Sequence, residues 1–484
     1  MVMMESASHE KVGLLASWWV RLTAMPNMIA CKVSEIAKNT KKLGQDDPRR
    51  VFHSLKVGFA LTLVSLFYYY QPLYDNFGVS AMWAVMTVVV VFEFSVGATL
   101  GKGLNRALAT LLAGALGIGA HHLASLSGQI GEPIVIGFFV FLQAATSTFI
   151  RFFPQIKARY DYGLLIFILT FSLISVSGFR DDEILELAHK RLATIFIGGS
   201  ACVIISIVVC PVWAGEDLHN LIAANIENLG SFLEGFGDEY FKTLEDAESK
   251  DDKHFCKLIK VLSILKAVKN PWWANFARWE PGHGRFHFCH PWKQYLKVAT
   301  LTRQCAYRIE ALHSRLTADN KVSPEILNII QESCTKLSLE TGKALKELAA
   351  AFKEMTKSPS PETHMAKAKA AAKSLRSLLK SGLWEDTELL EVMPAATVGS
   401  LLLDVVNCSE KIIELLMNLP FLQILRLLKP QCHKKNHSWE NLPPKKKIPT
   451  GMLLLQLQRH PQFYQKMGKK LVVNKWKCKY YMLQ

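Results

Sequence analysis

The hydrophobic residues of this chain follow two different patterns, which change at about residue 213. A bilayer core about 30 Å thick is crossed by roughly 20 apolar helical residues. Before residue 213, nearly uncharged apolar runs of about that length alternate with short polar turns, which predicts six transmembrane helices. The second and fifth runs are short and need flanking residues to span. The six runs are Leu55–Tyr70, Val79–Phe92, Leu104–Leu123, Pro133–Ile150, Tyr162–Gly178 and Leu192–Val212.

After residue 213, an apolar residue recurs every three or four positions, which is the spacing of amphipathic helices. Such stripes run through Leu218–Phe236, Tyr295–Leu316, Ile326–Leu345 and Val398–Leu416, and no segment alternates as a strand would. The fold class predicted is all-α, a six-span transmembrane helical domain followed by a cytoplasmic helical bundle. The predicted domains are an N-terminal cytoplasmic segment (1–50), the transmembrane domain (51–213), the helical domain (214–419) and a basic, divergent tail (420–484).

Loop charge gives the membrane block a direction, because Lys and Arg are enriched in cytoplasmic loops. The second turn contains Lys102 and the fourth contains Arg151, Lys157 and Arg159. The first and third turns contain neither Lys nor Arg, and the fifth is mixed, with Arg180 followed by a group of acidic residues. The N-terminus and the C-terminal half are therefore predicted to be cytoplasmic.

The net charge of +16 is concentrated in the tail, where residues 430–484 contain eleven Lys, one Arg and one Glu. The basic balance therefore does not indicate a nucleic-acid partner. The tail either lies on anionic lipid or is solvated. Ten cysteines without paired spacing indicate a reducing compartment. The N-terminus shows no signal peptide, so the first span is expected to direct insertion.

Charged residues within the apolar block lie near the ends of the runs. His189–Arg191 sits at the predicted outer mouth of the sixth run, where these residues either pair with Asp182 and Glu186 or attract anions. Glu93 needs a cationic partner, for which Lys102 and Arg106 are the nearest candidates. The runs contain no series of Asp, Glu or His that would form a proton relay. Basic residues outnumber acidic ones at the ends of the runs, which favours anion over cation passage.

Two glycine-rich or aromatic segments stand out. In Ser95–Gly103 the glycines allow either close helix packing or backbone amides that face an anion. In Phe276–Phe286, proline and glycines exclude a helix, while Trp279, Phe286 and the Glu280–Arg285 pair are expected to be buried, which predicts an ordered loop.

The chain shows no phosphate-binding loop and no catalytic constellation, so an enzyme is not predicted. The His and Cys residues after the loop lack the second cluster of a zinc site, and no metal or cofactor is predicted. These residues are His283, His287, Cys289 and His290.

The chain resembles the plant aluminium-activated malate transporters. The resemblance rests on WEPGHGRF at Trp279–Phe286, VVVFEFSVGATLGKGLNR at Val89–Arg106 and WAGEDLH at Trp213–His219, and it covers Val51 to Leu419. It implies an anion channel for malate and other anions, gated by voltage or ligand and built as a homodimer with a pore between membrane domains. It does not imply that aluminium opens this particular channel, and the tail departs from the family pattern.

The resemblance also suggests site residues, because the family lines its pore with basic side chains and is proposed to bind aluminium through external acidic ones. The pore candidates here are Lys56, Lys102, Arg106, Lys190 and Arg191. The candidate external cation contacts are Asp75, Asp181, Asp182 and Glu183. The structural motif comprises Trp279, Glu280, Pro281, Gly282, His283, Gly284, Arg285 and Phe286.

Two other functions are compatible with the same pattern. One is a proton-coupled secondary transporter of organic acids, against which the lack of buried carboxylates argues. The other is a non-conducting, membrane-anchored helical scaffold. The expected partners are malate and other anions, membrane lipid and a second copy of the chain, with the plasma membrane favoured over the vacuolar membrane.

Overall fold

Helices dominate the computed structural model, which describes residues 32–71, 82–177, 184–242, 272–286, 290–316, 324–356, 358, 360–381 and 389–419. Within these residues the β pairing consists of one isolated antiparallel bridge, between His283 and Phe286. The all-α prediction is confirmed. The chain divides into a first unit (Met1–Gly215 with Asn275–Pro281) and a second unit (Glu216–Ala274 with Gly282–Gln484).

The helices of the first unit begin at residues suited to helix starts. Asp47 precedes Pro48 and accepts a hydrogen bond from the Arg49 amide at 3.2 Å, and Ser95 accepts one from the Ala98 amide at 3.3 Å. Both are N-cap interactions. The helices are α1 (32–46), α2 (Pro48–Tyr69), α3 (Met82–Val91), α4 (Val96–Ser125), α5 (Gly128–Ile150), α6 (Pro154–Ser177) and α7 (Ile184–Val208).

Six helices in the described part of the chain are long and apolar enough to cross a membrane. Five of them, α2, α4, α5, α6 and α7, correspond to the first and the third to sixth predicted runs. The second predicted run, Val79–Phe92, corresponds to the shorter helix α3, and residues 72–81 before it lie outside the described residues. The sixth long apolar helix, Val392–Met417, lies in the second unit and is the most buried of the six.

Small residues allow the helices of the first unit to approach one another. A Cβ atom on Gly198 of α7 would lie 2.6 Å from the Ala84 carbonyl oxygen of α3, and one on Gly117 of α4 would lie 3.0 Å from Ile174 of α6. Lipid provides no hydrophobic driving force for association between helices, so the van der Waals contacts that close backbone approach allows hold the helices together. The outward faces remain apolar, as Leu55, Phe59 and Leu66 on α2 are exposed.

The second unit contains five long helices among the described residues. They are α8 (Ala214–Lys242, whose first two residues belong to the first unit), α10 (Trp292–Leu316), α11 (Pro324–Lys353), α12 (Ser360–Lys380) and α13 (Leu389–Met417). A short helix, α9 (Trp272–Ala277), precedes the motif loop. The predicted apolar stripes form the core, where Phe232, Tyr295, Leu337 and Leu402 are fully buried. The prediction of helices in this half is confirmed.

Helices α8 and α11 cross at a pair of glycines. A Cβ atom on Gly230 would lie 2.8 Å from the Gly342 carbonyl oxygen, and one on Gly342 would lie 2.7 Å from the Gly230 carbonyl oxygen. An ion pair between Lys346 and Glu234 flanks this crossing. The two backbones are therefore too close for any side chain at either position.

Gly230→Ala is expected to destabilise the second unit by about 1–3 kcal/mol, the usual cost of overpacking a close contact. The measurement is the midpoint of thermal unfolding of the detergent-purified chain. Gly235→Ala is the matched control on the same helix, because a Cβ atom there meets open space. Equal midpoints for the two variants would contradict the close crossing.

Candidate anion pathway and motif loop

Three of the predicted pore residues lie at one end of the first unit, where α2, α4 and α6 begin and α3, α5 and α7 end. Lys56 is 3 % exposed, and its Nζ donates a hydrogen bond to the Cys210 carbonyl oxygen at 2.7 Å. The acceptor is neutral, so the lysine keeps an uncompensated positive charge among the described contacts.

Lys102 and Arg106 lie on the second and third turns of α4 at the same end. Lys102 forms an ion pair with Glu93, which confirms one of the two predicted partners, and its Nζ lies 5.6 Å from the centre of the Tyr162 ring. Arg106 is 5 % exposed, and its Nη1 donates to the Tyr162 hydroxyl at 3.2 Å. The Nε of Arg106 is buried and has no hydrogen-bond partner in the described part of the chain.

The other two predicted pore residues, Lys190 and Arg191, lie near the start of α7 at the opposite end of the first unit. The Arg191 guanidinium lies over the Trp83 ring at 4.7 Å, a cation–π contact. Its buried Nε has no hydrogen-bond partner among the residues described. Asp182 and the side chain of Glu186, the predicted alternative partners, lie outside the described residues, as do Asp75, Asp181 and Glu183.

Buried hydroxyl groups lie within the spans, and the sequence analysis did not single them out. Thr87, Thr110, Ser175 and Thr194 are all buried, and the hydroxyls of Thr110 and Ser175 lack hydrogen-bond partners in the described structure. A hydroxyl in an otherwise apolar run is the signal that could have identified them, since an unused buried hydroxyl is costly.

Glu280, in the motif loop, caps the N-terminus of α8. Its carboxylate oxygens accept hydrogen bonds from the Ala214 amide at 2.6 Å and the Gly215 amide at 3.0 Å. The residue before the helix is Trp213, which cannot act as a side-chain cap. A buried carboxylate is favourable here because two N–H donors and the positive end of the helix dipole face it.

The glycines of Ser95–Gly103 make room for this loop. A Cβ atom on Gly97 would lie 2.2 Å from the Phe276 carbonyl oxygen and 2.8 Å from Cγ of Glu280, and one on Gly101 would lie 2.9 Å from the Trp279 ring. Of the two readings of these glycines, the structure therefore supports close packing, but against the loop rather than against another long helix.

We call residues 210–215 the junction segment, because three separate parts of the first unit hold it. Lys56 binds the Cys210 carbonyl, the Val96 amide donates to the Val212 carbonyl at 3.0 Å, and Glu280 accepts from the next two amides. Cys210 adopts a φ of 40°, a left-handed conformation that is strained for a residue with a side chain. These hydrogen bonds hold that conformation in place.

The loop differs from the prediction in two respects. Trp279 is 38 % exposed despite its contact with Gly101, and Arg285 is exposed, with Nη1 lying 3.7 Å from Glu354. The expectation that both would be buried was wrong. Arg285 need not be buried as a partner of Glu280, because the amides of α8 satisfy the Glu280 carboxylate. Gly284 has a φ of 49°, which explains a glycine in the turn between His283 and Phe286.

Comparison with known proteins places this arrangement in a family. The family described as "Aluminium activated malate transporter" matches residues 41–384. Aluminum-activated malate transporter 2 of Arabidopsis thaliana is 59 % identical over 385 residues, covering 79 % of this chain and 77 % of that protein. Transporter 7 of the same plant is 56 % identical over 416 residues (80 % and 82 %), and transporter 1 is 54 % identical over 388 residues (79 % of each).

The chain belongs to the aluminium-activated malate transporter family. The resemblance seen in its motifs is thereby confirmed, and the apolar helices identify a multi-pass membrane protein. The family is one of transporters, which agrees with the prediction that the chain is not an enzyme. Within the described residues no group of three or more His, Cys, Asp or Glu could hold a metal ion, and His287 and Cys289 lie outside them.

In this member of the family, Phe286 at the end of the WEPGHGRF motif joins an aromatic cluster in the second unit. Phe286 stacks on Trp292 with ring centres 5.8 Å apart, and it contacts His219 edge-on at 5.5 Å. The Tyr295 hydroxyl lies 2.9 Å from Nδ1 of His219 and 2.8 Å from Nε2 of His290. Burial lowers the pKa of His219 and raises that of Tyr295.

Glu280→Gln is expected to destabilise the first unit by about 2 kcal/mol, because a neutral amide cannot match a carboxylate that accepts from two helix N-terminal amides. The measurement is the thermal unfolding midpoint of the full chain in detergent. Glu216→Gln, an exposed acidic residue in the first turn of the same helix, is the matched control and should change the midpoint little. A larger effect at Glu216 would contradict the capping role.

The stability of the second unit is expected to fall as the pH falls below about 6.5. The pKa of His219 is lowered by burial first and also by the positive charge of Arg285, so the folded state keeps the imidazole neutral. The unfolded chain binds a proton at the ordinary pKa of about 6.5, which favours unfolding below that pH. Unfolding midpoints across this pH range for the wild type and His219→Gln test the point. An unchanged slope in the variant would exclude His219 as the cause.

Proposed function

We propose that this chain is a channel that conducts malate and other anions across a plant membrane, with basic side chains of the transmembrane helices lining the path. The observation that carries the proposal is that three cations, the buried Lys56 and Arg106 and the half-buried Arg191, have neutral contacts in the described structure: a carbonyl, a phenol and an indole ring. The relatives named as malate transporters support malate as the substrate.

Neutral contacts matter because they hold a cation in position without cancelling its charge. A cation paired with a carboxylate, as Lys102 is with Glu93, presents little net charge to a passing anion. The Nε–H groups of Arg106 and Arg191 have no acceptor in the described structure. Each could therefore donate a hydrogen bond to the carboxylate of a passing anion. Charges of this kind at both ends of the unit would attract anions from either side.

The acidic residues of the described spans favour a channel over a proton-coupled transporter. Glu93 pairs with Lys102, Asp161 with Arg151 at 2.7 Å, and Glu132 lies 3.6 Å from His121. All lie at span ends. A proton relay through the membrane needs titratable groups in the middle of the spans. The buried polar groups described there are hydroxyls instead. A non-conducting scaffold would not require cations that have no carboxylate partner among the described residues.

The same proposal includes the assembly and the orientation of the chain. The exposed apolar face of α2 would meet lipid or a second copy in a homodimer. Loop charge supports cytoplasmic placement of the N-terminal segment (1–50) and the helical domain (214–419), and we place the protein in the plasma membrane rather than the vacuolar membrane. Asp75 and Asp181–Glu183 stay candidate external cation contacts.

Whole-cell current recording tests the function directly. Cells expressing the full chain, with malate as the main internal anion, should show currents whose reversal potential follows the malate gradient and ignores the proton gradient. Reversal that follows the proton gradient would indicate the coupled transporter. Correctly inserted protein without current at any voltage, with or without external aluminium, would indicate the scaffold.

Arg191→Gln and Arg106→Gln are each expected to reduce the malate current about tenfold or more, because each removes a fixed charge and an unused donor from the path. Surface labelling must show unchanged amounts of protein. Lys157→Gln is the matched control, since Lys157 is exposed in the described structure and is not proposed to line the path. Unchanged current in Arg191→Gln would remove that residue from the path.

A further inference from the structure

Two cysteines of the second unit face each other across a helix interface that the proposed conduction path does not use. Cys305 lies in the middle of α10 and Cys408 in α13, two helices that pack together. The Cys408 sulfur packs against the turn of α10 that carries Cys305, so the two thiols are neighbours. They are separated by about a hundred residues in sequence, so the fold alone brings the thiols together.

The surroundings of Cys408 fix its position on α10. Its Sγ lies 3.8 Å from the Leu301 carbonyl oxygen, which is one helical turn before Cys305. On the other side, Nη1 of Arg308 donates to the same sulfur at 3.8 Å, three residues after Cys305. The Cys408 sulfur therefore sits against the turn of α10 that carries Cys305.

The two thiols are not equivalent. Cys305 is fully buried, whereas Cys408 keeps 5 % exposure. The interaction with Cys305, helped by the charges of Arg308 and Lys411 and opposed by burial and Asp404, lowers the pKa of Cys408. The pKa of Cys305 is raised, first by the interaction with Cys408 and then by burial. Cys408 is therefore the more acidic thiol of the pair and the better nucleophile, and Cys305 is the one that stays protonated more readily.

We propose that Cys408 and Cys305 form a redox-active dithiol that hydrogen peroxide converts to a disulfide linking α10 and α13. The Cys408 thiolate attacks one peroxide oxygen, so that an S–O bond forms, the O–O bond breaks and hydroxide leaves. The Cys305 sulfur then gives up its proton and attacks the resulting sulfenic acid, so that the S–S bond forms and the S–O oxygen leaves as water. Two thiols and one peroxide yield one disulfide and two waters.

The chemistry of the site suits a reversible modification rather than a structural bridge. In a reducing compartment, disulfides are usually transient and redox-sensing. A thiol whose pKa is lowered towards the ambient pH exchanges more readily with disulfides, which allows a cellular dithiol to reduce the bond again. Formation of the bond would hold α10 and α13 together at this turn.

Cys334 provides the internal reference within the same unit. It lies on α11, is fully buried, and burial raises its pKa to about 12. At neutral pH its thiolate fraction is negligible, so its oxidation should be at least about tenfold slower than that of Cys408.

The test uses membranes containing the full-length chain, treated with hydrogen peroxide, denatured with an alkylating reagent and digested without reduction. Mass spectrometry should find a Cys305–Cys408 cross-linked peptide that dithiothreitol removes, while Cys334 is recovered alkylated. The variant Cys334→Ser should behave as the wild type does. In Cys305→Ser, the sulfenic acid at Cys408 should persist and be trapped by dimedone, and in Cys408→Ser neither product should form.

Recovery of Cys305 and Cys408 as alkylated thiols to the same extent as Cys334 would overturn the proposal. So would a dimedone adduct on Cys408 in the wild type without the cross-link, because Cys305 would then not resolve it. The wild-type measurement decides the question even if a variant fails to fold.

Discussion

The hydrogen bonds that Glu280 accepts from the first two amides of α8 are the interaction on which the motif loop and the junction segment depend. A helix begins with several N–H groups that have no partner within the helix. Trp213 offers no side-chain acceptor, so the helix needs one from elsewhere, and Glu280 provides it from 66 residues away along the chain. The buried charge is tolerated because the helix N-terminus is positive and both donors are aligned.

Other features of the first unit follow from this placement. The carboxylate reaches the amides only if the loop approaches α4 closely, and Gly97 and Gly101 allow that approach. The junction segment must then turn at Cys210 in a strained conformation, which Lys56 stabilises through the carbonyl of the same residue. All three sequence motifs that carry the family resemblance thus contribute to one packing arrangement, although about 170 residues separate the first from the last in the chain.

Much of this fold could be predicted from the sequence because burial produces periodic stripes of apolar residues and lipid exposure produces long apolar runs. The stripe containing Ile226 and Phe232 and the long apolar runs were read correctly for that reason. Periodicity could not reveal which residues meet across long separations. Arg285 seemed the natural partner for Glu280, yet backbone amides took that role, and amides leave no signature in a sequence. The apolar character of α13 likewise does not distinguish a membrane span from a helix buried among its neighbours.

Three cations of the first unit are held differently from the ion-paired cations of both units, and the difference bears on function. In the second unit Lys346, Lys369 and Arg308 contact the carboxylates of Glu234, Glu410 and Asp404, as expected where charge serves stability and solubility. In the first unit Lys56, Arg106 and Arg191 are held by a carbonyl, a phenol and an indole. Removing a cation from water without a counter-charge costs stability, and a carboxylate would relieve that cost. If these cations served only stability, a carboxylate partner would be favourable. In a path for anions, the same partner would cancel the charge that attracts the anion. The neutral contacts are therefore what the proposed anion path would require, because they fix each cation in position and would leave its charge available to a passing anion.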